Sequence, residues 1–217
     1  NDYTVVKRSD VLGAITNCSF NICVAGTHGK TTTSTMLAHI LRHSGFGCNA
    51  FLGGIASNYN SNFWSSNNNV CVVEADEYDR SFLKLNPDIA IITAMDADHL
   101  DIYGTAENVE QAFIDFSARI KPSGCLIVKH GLKRNNDFKV HDTCTYSVDD
   151  DKANIHISNL KITNGAYQFD VINNYWVMQD VMLNMGGLHN IENVIAAIAV
   201  AKYLKIEDDK IKTAVSS

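Results

Sequence analysis

Four short apolar runs lie in the first 130 residues, and each ends at a turn or a polar stretch. None of them alternates apolar with polar residues, as a strand with one solvent-exposed face would do. Each run is therefore predicted to form a buried strand, over residues 20–25, 70–73, 89–93 and 125–128.

Amphipathic segments separate these runs. Apolar side chains recur at helical spacing over residues 30–43, 105–120 and 191–204, so each segment is predicted to form a helix with one apolar face. A shorter helix is predicted over residues 9–15, with Ser9 as its cap. Strands that alternate with helices predict an α/β fold, with a mostly parallel sheet flanked by helices on both faces.

The pattern changes over residues 144–183. Apolar residues here alternate with polar ones on either side of Asn164-Gly165, a pair that favours a tight hairpin turn. The alternating apolar residues are Ile155, Ile157, Tyr167, Phe169 and Val171. We therefore expect a small antiparallel β extension of the sheet. Residues 58–69, by contrast, are rich in asparagine and serine and are predicted to form a surface loop.

Composition narrows the class of protein. The 217 residues carry a net charge of −6, whereas nucleic-acid binders are typically basic, so no nucleic-acid partner is expected. No apolar run approaches the ~18 residues that a membrane-spanning helix needs, so no membrane partner is expected. The six cysteines form no C-x-x-C pair and three lie in apolar runs, which favours reduced thiols and a cytoplasmic location.

A glycine-rich loop lies between the first predicted strand and the helix that follows it. Its residues are Gly26, Thr27, His28, Gly29, Lys30, Thr31 and Thr32. Glycines let backbone N–H groups face an anion, and a helix N-terminus adds its dipole. The full phosphate-loop pattern would place glycine where this chain has Val24. The position between strand and helix nevertheless predicts a phosphate site rather than an ordinary glycine turn, with Lys30 on the β- and γ-phosphates and Thr31 on a metal ion.

Acidic residues follow two further strands. Glu74 ends the second predicted strand, and His99 lies among three aspartates after the third. Ligands of open α/β sheets bind beyond the carboxyl ends of the strands, where carboxylates can hold magnesium. We therefore predict a metal-binding role for Glu74 and a metal-binding or catalytic role for His99. The alternatives are a solvated acidic turn and an ordinary structural histidine.

Taken in order, four segments of the chain resemble the motifs of the Mur ligases. They are residues 26–32 (GTHGKTT), 74–79 (EADEYD), 96–101 (DADHLD) and 187–193 (GLHNIEN). Members of that family are ATP-dependent enzymes that form amide bonds in peptidoglycan precursor synthesis. The resemblance implies that ATP phosphorylates a carboxylate, and that an amine then attacks the resulting acyl phosphate.

The resemblance also implies roles for individual residues. Lys30, Glu74 and His99 would carry catalysis, with Lys30 on the phosphates of ATP. Thr31 and Glu74 would hold Mg²⁺ between the β- and γ-phosphates, and His99 would hold a second metal ion. The implied adenine contacts are His189, Asn190 and Asn193, and composition alone would make Asn190 a helix cap.

The segments are most similar to those of the family branch that joins L-alanine to UDP-N-acetylmuramate, which makes these two molecules the implied partners. A branch that attaches murein tripeptide is one alternative, and a non-catalytic ATP-binding module is another. The resemblance implies that residues 1–16 are a linker and helix from an N-terminal domain, that residues 17–217 are the central ATP-binding domain, and that a C-terminal domain is absent. The isolated chain would then not be competent for ligation. Other branches carry a modified lysine after the third motif, but no lysine occurs between Leu100 and Ile120.

Overall fold

The first strand, β1 (Phe20–Ala25), lies inside the sheet and pairs in parallel with a neighbour on each of its edges. The computed structural model describes residues 5–217, so residues 1–4 of the predicted linker lie outside the described residues. Ten strands of the described chain form one sheet, in the order β10-β9-β8-β7-β6-β5-β1-β4-β2-β3. They are β1 Phe20–Ala25, β2 Asn49–Ala56, β3 Ser61–Trp64, β4 Val70–Glu74, β5 Ile89–Ile92, β6 Cys125–Lys129, β7 Asp142–Tyr146, β8 Ile155–Thr163, β9 Ala166–Asn173 and β10 Trp176–Leu183.

Helices cover both faces of this sheet. They are α1 Arg8–Thr16, α2 Lys30–His43, α3 Leu100–Tyr103, α4 Ala106–Ser117, α5 Leu188–Tyr203 and α6 Asp208–Val215, with 3-10 turns at Tyr78–Lys84 and Asn135–Asp137. The side chains of β1 alternate between two cores: Ile22 and Val24 pack with α2, α5 and α6, whereas Cys23 packs with α4 and the first 3-10 turn. This two-faced burial explains why the strand shows no polar alternation.

The four strands predicted to be buried are confirmed, and all of them pair in parallel. The predicted antiparallel extension is also present, as the three strands β8, β9 and β10. Its predicted start is too early, however. Cys144 lies in β7, which pairs in parallel with β6, so the antiparallel part begins with the pairing of Ile155 to Asn173.

The predicted surface loop over residues 58–69 is wrong in part. Residues of β3 lie within it and pair antiparallel with β2, a strand that the apolar pattern did not predict. Trp64 is only 8% exposed because it packs against Tyr59 and lies beneath the Arg42 guanidinium. A four-residue strand at the sheet edge needs few apolar residues, so the polar composition of residues 58–69 concealed β3.

The cap predicted for the first helix is also wrong. Helix α1 begins at Arg8, and the cap position is Lys7. The Lys7 N–H donates to Asp10 Oδ2 at 3.3 Å, while the Ser9 hydroxyl accepts from Lys84 Nζ at 3.2 Å. Ser9 thus helps to attach α1 to the 3-10 turn at Tyr78–Lys84. A second link joins the same two elements, because Lys84 Nζ also lies 2.6 Å from Asp10 Oδ1.

Substitution of Phe82 tests how much its packing contributes to the stability of the fold. Its ring is fully buried, stacks on Phe116 at 4.9 Å and meets Phe113 edge-on at 5.3 Å. Phe82→Ala should lower the free energy of unfolding by about 3–5 kcal/mol, because it leaves a cavity in this aromatic cluster. Urea denaturation measures this loss. Tyr175→Ala is the control, since Tyr175 is 93% exposed; a loss from Phe82→Ala no larger than the control's would contradict the packing described here.

Candidate functional site

The glycine loop after β1 can form only with glycine at two positions. Gly26 has φ 142° and Gly29 has φ 82°. A Cβ on Gly26 would lie 2.9 Å from the backbone N of Ala94, and a Cβ on Gly29 would lie 2.7 Å from Asn193 Oδ1. Both the positive φ and the close approach therefore exclude a side chain. The loop is packed between Thr93 and Ala94, which follow β5, and Asn193 in α5.

Residues that follow β5 form hydrogen bonds with the same loop. The Thr93 hydroxyl contacts the Ala25 carbonyl at 3.2 Å and the His28 carbonyl. The Asp96 N–H donates to the Thr27 hydroxyl at 3.1 Å. The Thr27 side chain is buried, whereas the His28 side chain is 71% exposed.

Lys30 begins α2 and turns back over the loop. Its Nζ donates to the Gly26 carbonyl and to Glu77 Oε1, both at 2.7 Å. The first N–H groups of an α-helix lack intrahelical acceptors, and the helix dipole favours an anion beside them. Here those groups belong to Lys30, Thr31 and the half-buried Thr32. An anion at the start of α2 would meet backbone donors and a lysine ammonium together.

The predicted metal pair, Thr31 and Glu74, is brought together. Thr31 Oγ1 donates to Glu74 Oε1 at 3.0 Å, and the Gly53 N–H donates to Glu74 Oε2 at 2.9 Å. A hydroxyl and a carboxylate form the oxygen donor set that Mg²⁺ prefers. The residues present thus fit a magnesium ion next to the anion position. Gly53 was missed by the sequence analysis, although a glycine inside a strand is a sign of close approach.

Glu77 is the second residue that the sequence analysis missed. Its side chain is 1% exposed, and it lies between Lys30 and His99. Oε1 accepts from Lys30, while Oε2 is buried and has no hydrogen-bond partner among the described residues. Glu77 lies inside the motif at residues 74–79, but neither its burial nor its ion pair with Lys30 can be read from that motif.

The Glu77 carboxylate lies close to His99 as well as to Lys30, so these two side chains face the same oxygen. His99 Nε2 is 3.7 Å from Glu77 Oε1 and 3.8 Å from Asp98 Oδ2, and its side chain is 32% exposed. The Tyr103 hydroxyl donates to the Glu77 carbonyl at 2.6 Å and fixes the backbone there. Burial, with the nearby Glu77 charge, raises the pKa of Tyr103 to about 12, so the phenol remains a donor.

The fourth motif begins α5, on the other side of the loop. Asn193 Oδ1 accepts from the Thr33 hydroxyl at 3.2 Å, which ties α5 to α2. Asn190 is not the helix cap that composition suggested, because α5 begins at Leu188 and Asn190 Nδ2 donates to the Gly186 carbonyl at 2.6 Å.

A cavity of about 670 Å³ lies beside this helix start. It is lined by His189 from the fourth motif, by the ion pair Lys129–Glu192 at 2.8 Å, and by His130 with Asp150 at 3.3 Å. Polar side chains on an open cavity next to a phosphate loop are suited to hold the base or sugar of a nucleotide. The lining residues from β6 and the segment after β7 carried no recognisable motif.

Comparisons with known proteins agree with this geometry. A profile of the family described as Mur ligase middle domain matches residues 24–201. UDP-N-acetylmuramate–L-alanine ligases from Phocaeicola vulgatus and Parabacteroides distasonis are 43% and 45% identical over 100% and 97% of the chain. The alignments cover 47% and 46% of those two proteins, so the chain spans about half the length of these curated relatives.

Solved structures give the same fold. A UDP-N-acetylmuramate–alanine ligase from Thermotoga maritima superposes with a TM-score of 0.80 at 25% identity, over 96% of this chain and 46% of that one. A UDP-N-acetylmuramate:L-alanyl-γ-D-glutamyl-meso-diaminopimelate ligase from Neisseria meningitides superposes with a TM-score of 0.85 over 96% of this chain and 69% of that one. Its identity is 22%, so that likeness concerns the fold alone.

The sheet and its glycine loop define an α/β protein of the phosphate-loop class. Within that class, the chain belongs to the Mur ligase family, through the family's middle domain. Among residues 5–217, no helix has the length and apolar character needed to cross a membrane.

Gly53 provides a test of the metal pair. A Cβ at this position would lie 2.6 Å from the Glu74 carboxyl carbon, so Gly53→Ala must displace that carboxylate. We expect Mn²⁺ affinity in the presence of a non-hydrolysable ATP analogue to fall about 10- to 100-fold, as for the loss of a residue that orients a metal ligand. Electron paramagnetic resonance of free Mn²⁺ measures this.

Ile55→Ala is the matched control, because Ile55 lies on the same strand and is 68% exposed. Equal Mn²⁺ affinities for Gly53→Ala and Ile55→Ala would show that Glu74 does not need its present position to bind the ion.

Proposed function

We propose that the chain is the ATP- and magnesium-binding part of a ligase that joins L-alanine to UDP-N-acetylmuramate in peptidoglycan precursor synthesis. The observation that carries this proposal is the convergence of Lys30, the Thr31–Glu74 pair and His99 at adjoining strand ends. The names of relatives at 43–45% identity supply the substrate pair.

Phosphoryl transfer needs positioning and positive charge more than covalent chemistry from the protein. In this proposal the start of α2 and Lys30 bind the phosphates of ATP, and ATP supplies the phosphoryl group that activates the muramate carboxylate. Thr31 and Glu74 would hold Mg²⁺, which would supply positive charge to the phosphates of ATP. His99 would hold a second metal ion, which would add positive charge at the site.

The start of α5 is proposed to bind the adenine. His189 lines the cavity beside the loop, and Asn190 and Asn193 lie within the next turn of the same helix. Asn193 Oδ1 is occupied by Thr33, which leaves its amide N–H groups for a ligand. The contact between Asn193 and Thr33 would also couple base binding to the helix that holds the phosphates.

We further propose that residues 17–217 act as the central domain of a longer ligase and that residues 1–16 form the linker into it. The support is that the chain spans about half the length of its relatives.

UDP-N-acetylmuramate and L-alanine would be bound largely by other parts of that ligase, in the cytoplasm, without a nucleic-acid or membrane partner. A non-catalytic ATP-binding module would have no need to retain Lys30, Glu74 and His99 together.

An ADP-release assay on the longer ligase tests the function. The assay offers UDP-N-acetylmuramate together with L-alanine, glycine or L-serine, and in a further arm with the murein tripeptide. L-Alanine should give the highest rate. The highest rate with the tripeptide would favour the alternative branch, and ATP binding without ADP release in any arm would favour the non-catalytic module.

His99→Ala in the same ligase should lower the L-alanine-dependent rate about 100-fold or more, the loss typical of removing one group that stabilises transition-state charge. His43→Ala is the matched control, since His43 lies exposed at the end of α2. A rate for His99→Ala that matches His43→Ala would remove His99 from the proposed mechanism.

A further inference from the structure

No hydrogen bond within the described part of the chain fixes the imidazole of His99. Its Nε2 lies 3.7 Å from Glu77 Oε1 and 3.8 Å from Asp98 Oδ2, and both separations exceed hydrogen-bond length. The hydrogen bond that His99 donates comes from its backbone N–H, to Asp98 Oδ1 at 2.8 Å. A histidine that holds a metal ion is usually oriented by a hydrogen bond from its other ring nitrogen. Among residues 5–217 His99 has no such bond, so a different contact has to set its orientation.

The ring of Tyr78 supplies such a contact. It meets the His99 imidazole nearly at a right angle, with an interplanar angle of 80° and 5.3 Å between the ring centroids. Aromatic pairs prefer this edge-to-face geometry. Tyr78 is 48% exposed, so burial in the core does not account for the position of its ring. The contact is made by the ring, and a phenylalanine ring can make it as well.

Both sides of this contact lie on backbone in an uncommon conformation. The two residues that follow Tyr78 are Asp79 and Arg80, with φ 54° and 55°. His99 itself has φ 50°. Non-glycine residues keep such values where the surrounding structure holds them, and they cluster at active sites. Here Lys7 Nζ pairs with Asp79 Oδ2 at 2.7 Å and holds the turn from outside.

We propose that Tyr78 is a positioning residue for the proposed reaction. Its ring holds the plane of the His99 imidazole so that Nε2 faces the carboxylates of Glu77 and Asp98. Tyr78 therefore acts through His99 and not on the substrate. The inference rests on the proposed function for what His99 does, but the contact of the two rings can be measured without metal, nucleotide or substrate.

The first measurement is an NMR spectrum of the 217-residue chain with ¹³C-labelled histidine, recorded at one fixed pH without metal or nucleotide. His99→Gln identifies the His99 ring signals by their disappearance. Tyr78→Ala should move those signals towards the positions of free histidine, because it removes the ring current of the neighbouring tyrosine, and Tyr78→Phe should bring them back. Tyr175→Ala is the control, since Tyr175 is 93% exposed, and should leave them in place.

The second measurement is L-alanine-dependent ADP release by the longer ligase. Tyr78→Ala should lower kcat about 10-fold, the lower end of the loss typical when a residue that orients a histidine ligand is removed. The KM for ATP should stay unchanged, because Tyr78 does not contact the phosphate loop in this proposal. Tyr78→Phe should restore kcat, a rescue that the ring contact requires.

Circular dichroism shows whether each variant folds, and Tyr78→Leu replaces Tyr78→Ala if that variant does not. His99 signals that stay in place in the folded Tyr78→Ala or Tyr78→Leu variant would overturn the proposal. A wild-type kcat in that variant would also overturn it, as would a Tyr78→Phe variant with the same loss. Absence of ADP release from the wild-type ligase would instead refute the proposed function and leave the NMR result on the ring contact unaffected.

Discussion

The close packing of the glycine loop against its neighbours is the constraint on which the site depends. Gly26 lies against the backbone after β5, and Gly29 lies against Asn193 of α5. Because no side chain fits at either position, three segments that are distant in sequence are held against one turn. The start of α2, the extension of β5 and the start of α5 are therefore fixed relative to one another before any ligand binds.

The parallel register of the sheet brings the candidate site residues together. Strands β4 and β5 both pair with β1, so Glu74 and the segment that leads to His99 emerge beside the phosphate loop. The buried Glu77 then joins the two, since it contacts Lys30 and lies 3.7 Å from His99. The Tyr103 hydroxyl in turn holds the backbone of Glu77 through its carbonyl. Glu77 thus places a buried carboxylate between Lys30 and His99.

The buried strands, the main helices and the glycine loop could be predicted because their signals are local. Periodicity over a few residues identifies β1 and α2, and a motif between them identifies the loop. Glu77 could not be predicted in the same way, because its contact with Lys30 joins residues 47 positions apart and exists only in the folded chain. Strand β3 was missed because a four-residue edge strand among asparagine and serine residues has no apolar pattern of its own. The fourth motif predicted the His189 side of the cavity, but the lining from β6 and from the segment after β7 left no sequence signal.

The central claim is that Lys30 and the start of α2 bind the phosphates of a nucleotide. Removing Lys30 alone would leave Glu77 buried without a counter-charge, so the sharper comparison is between Glu77→Gln and the double variant Lys30→Ala/Glu77→Gln. Isothermal titration calorimetry with Mg²⁺ and a non-hydrolysable ATP analogue measures the difference. The account predicts that the double variant binds about 10- to 100-fold more weakly, the loss of a charge-assisted hydrogen bond. Equal affinities in two folded variants would contradict it.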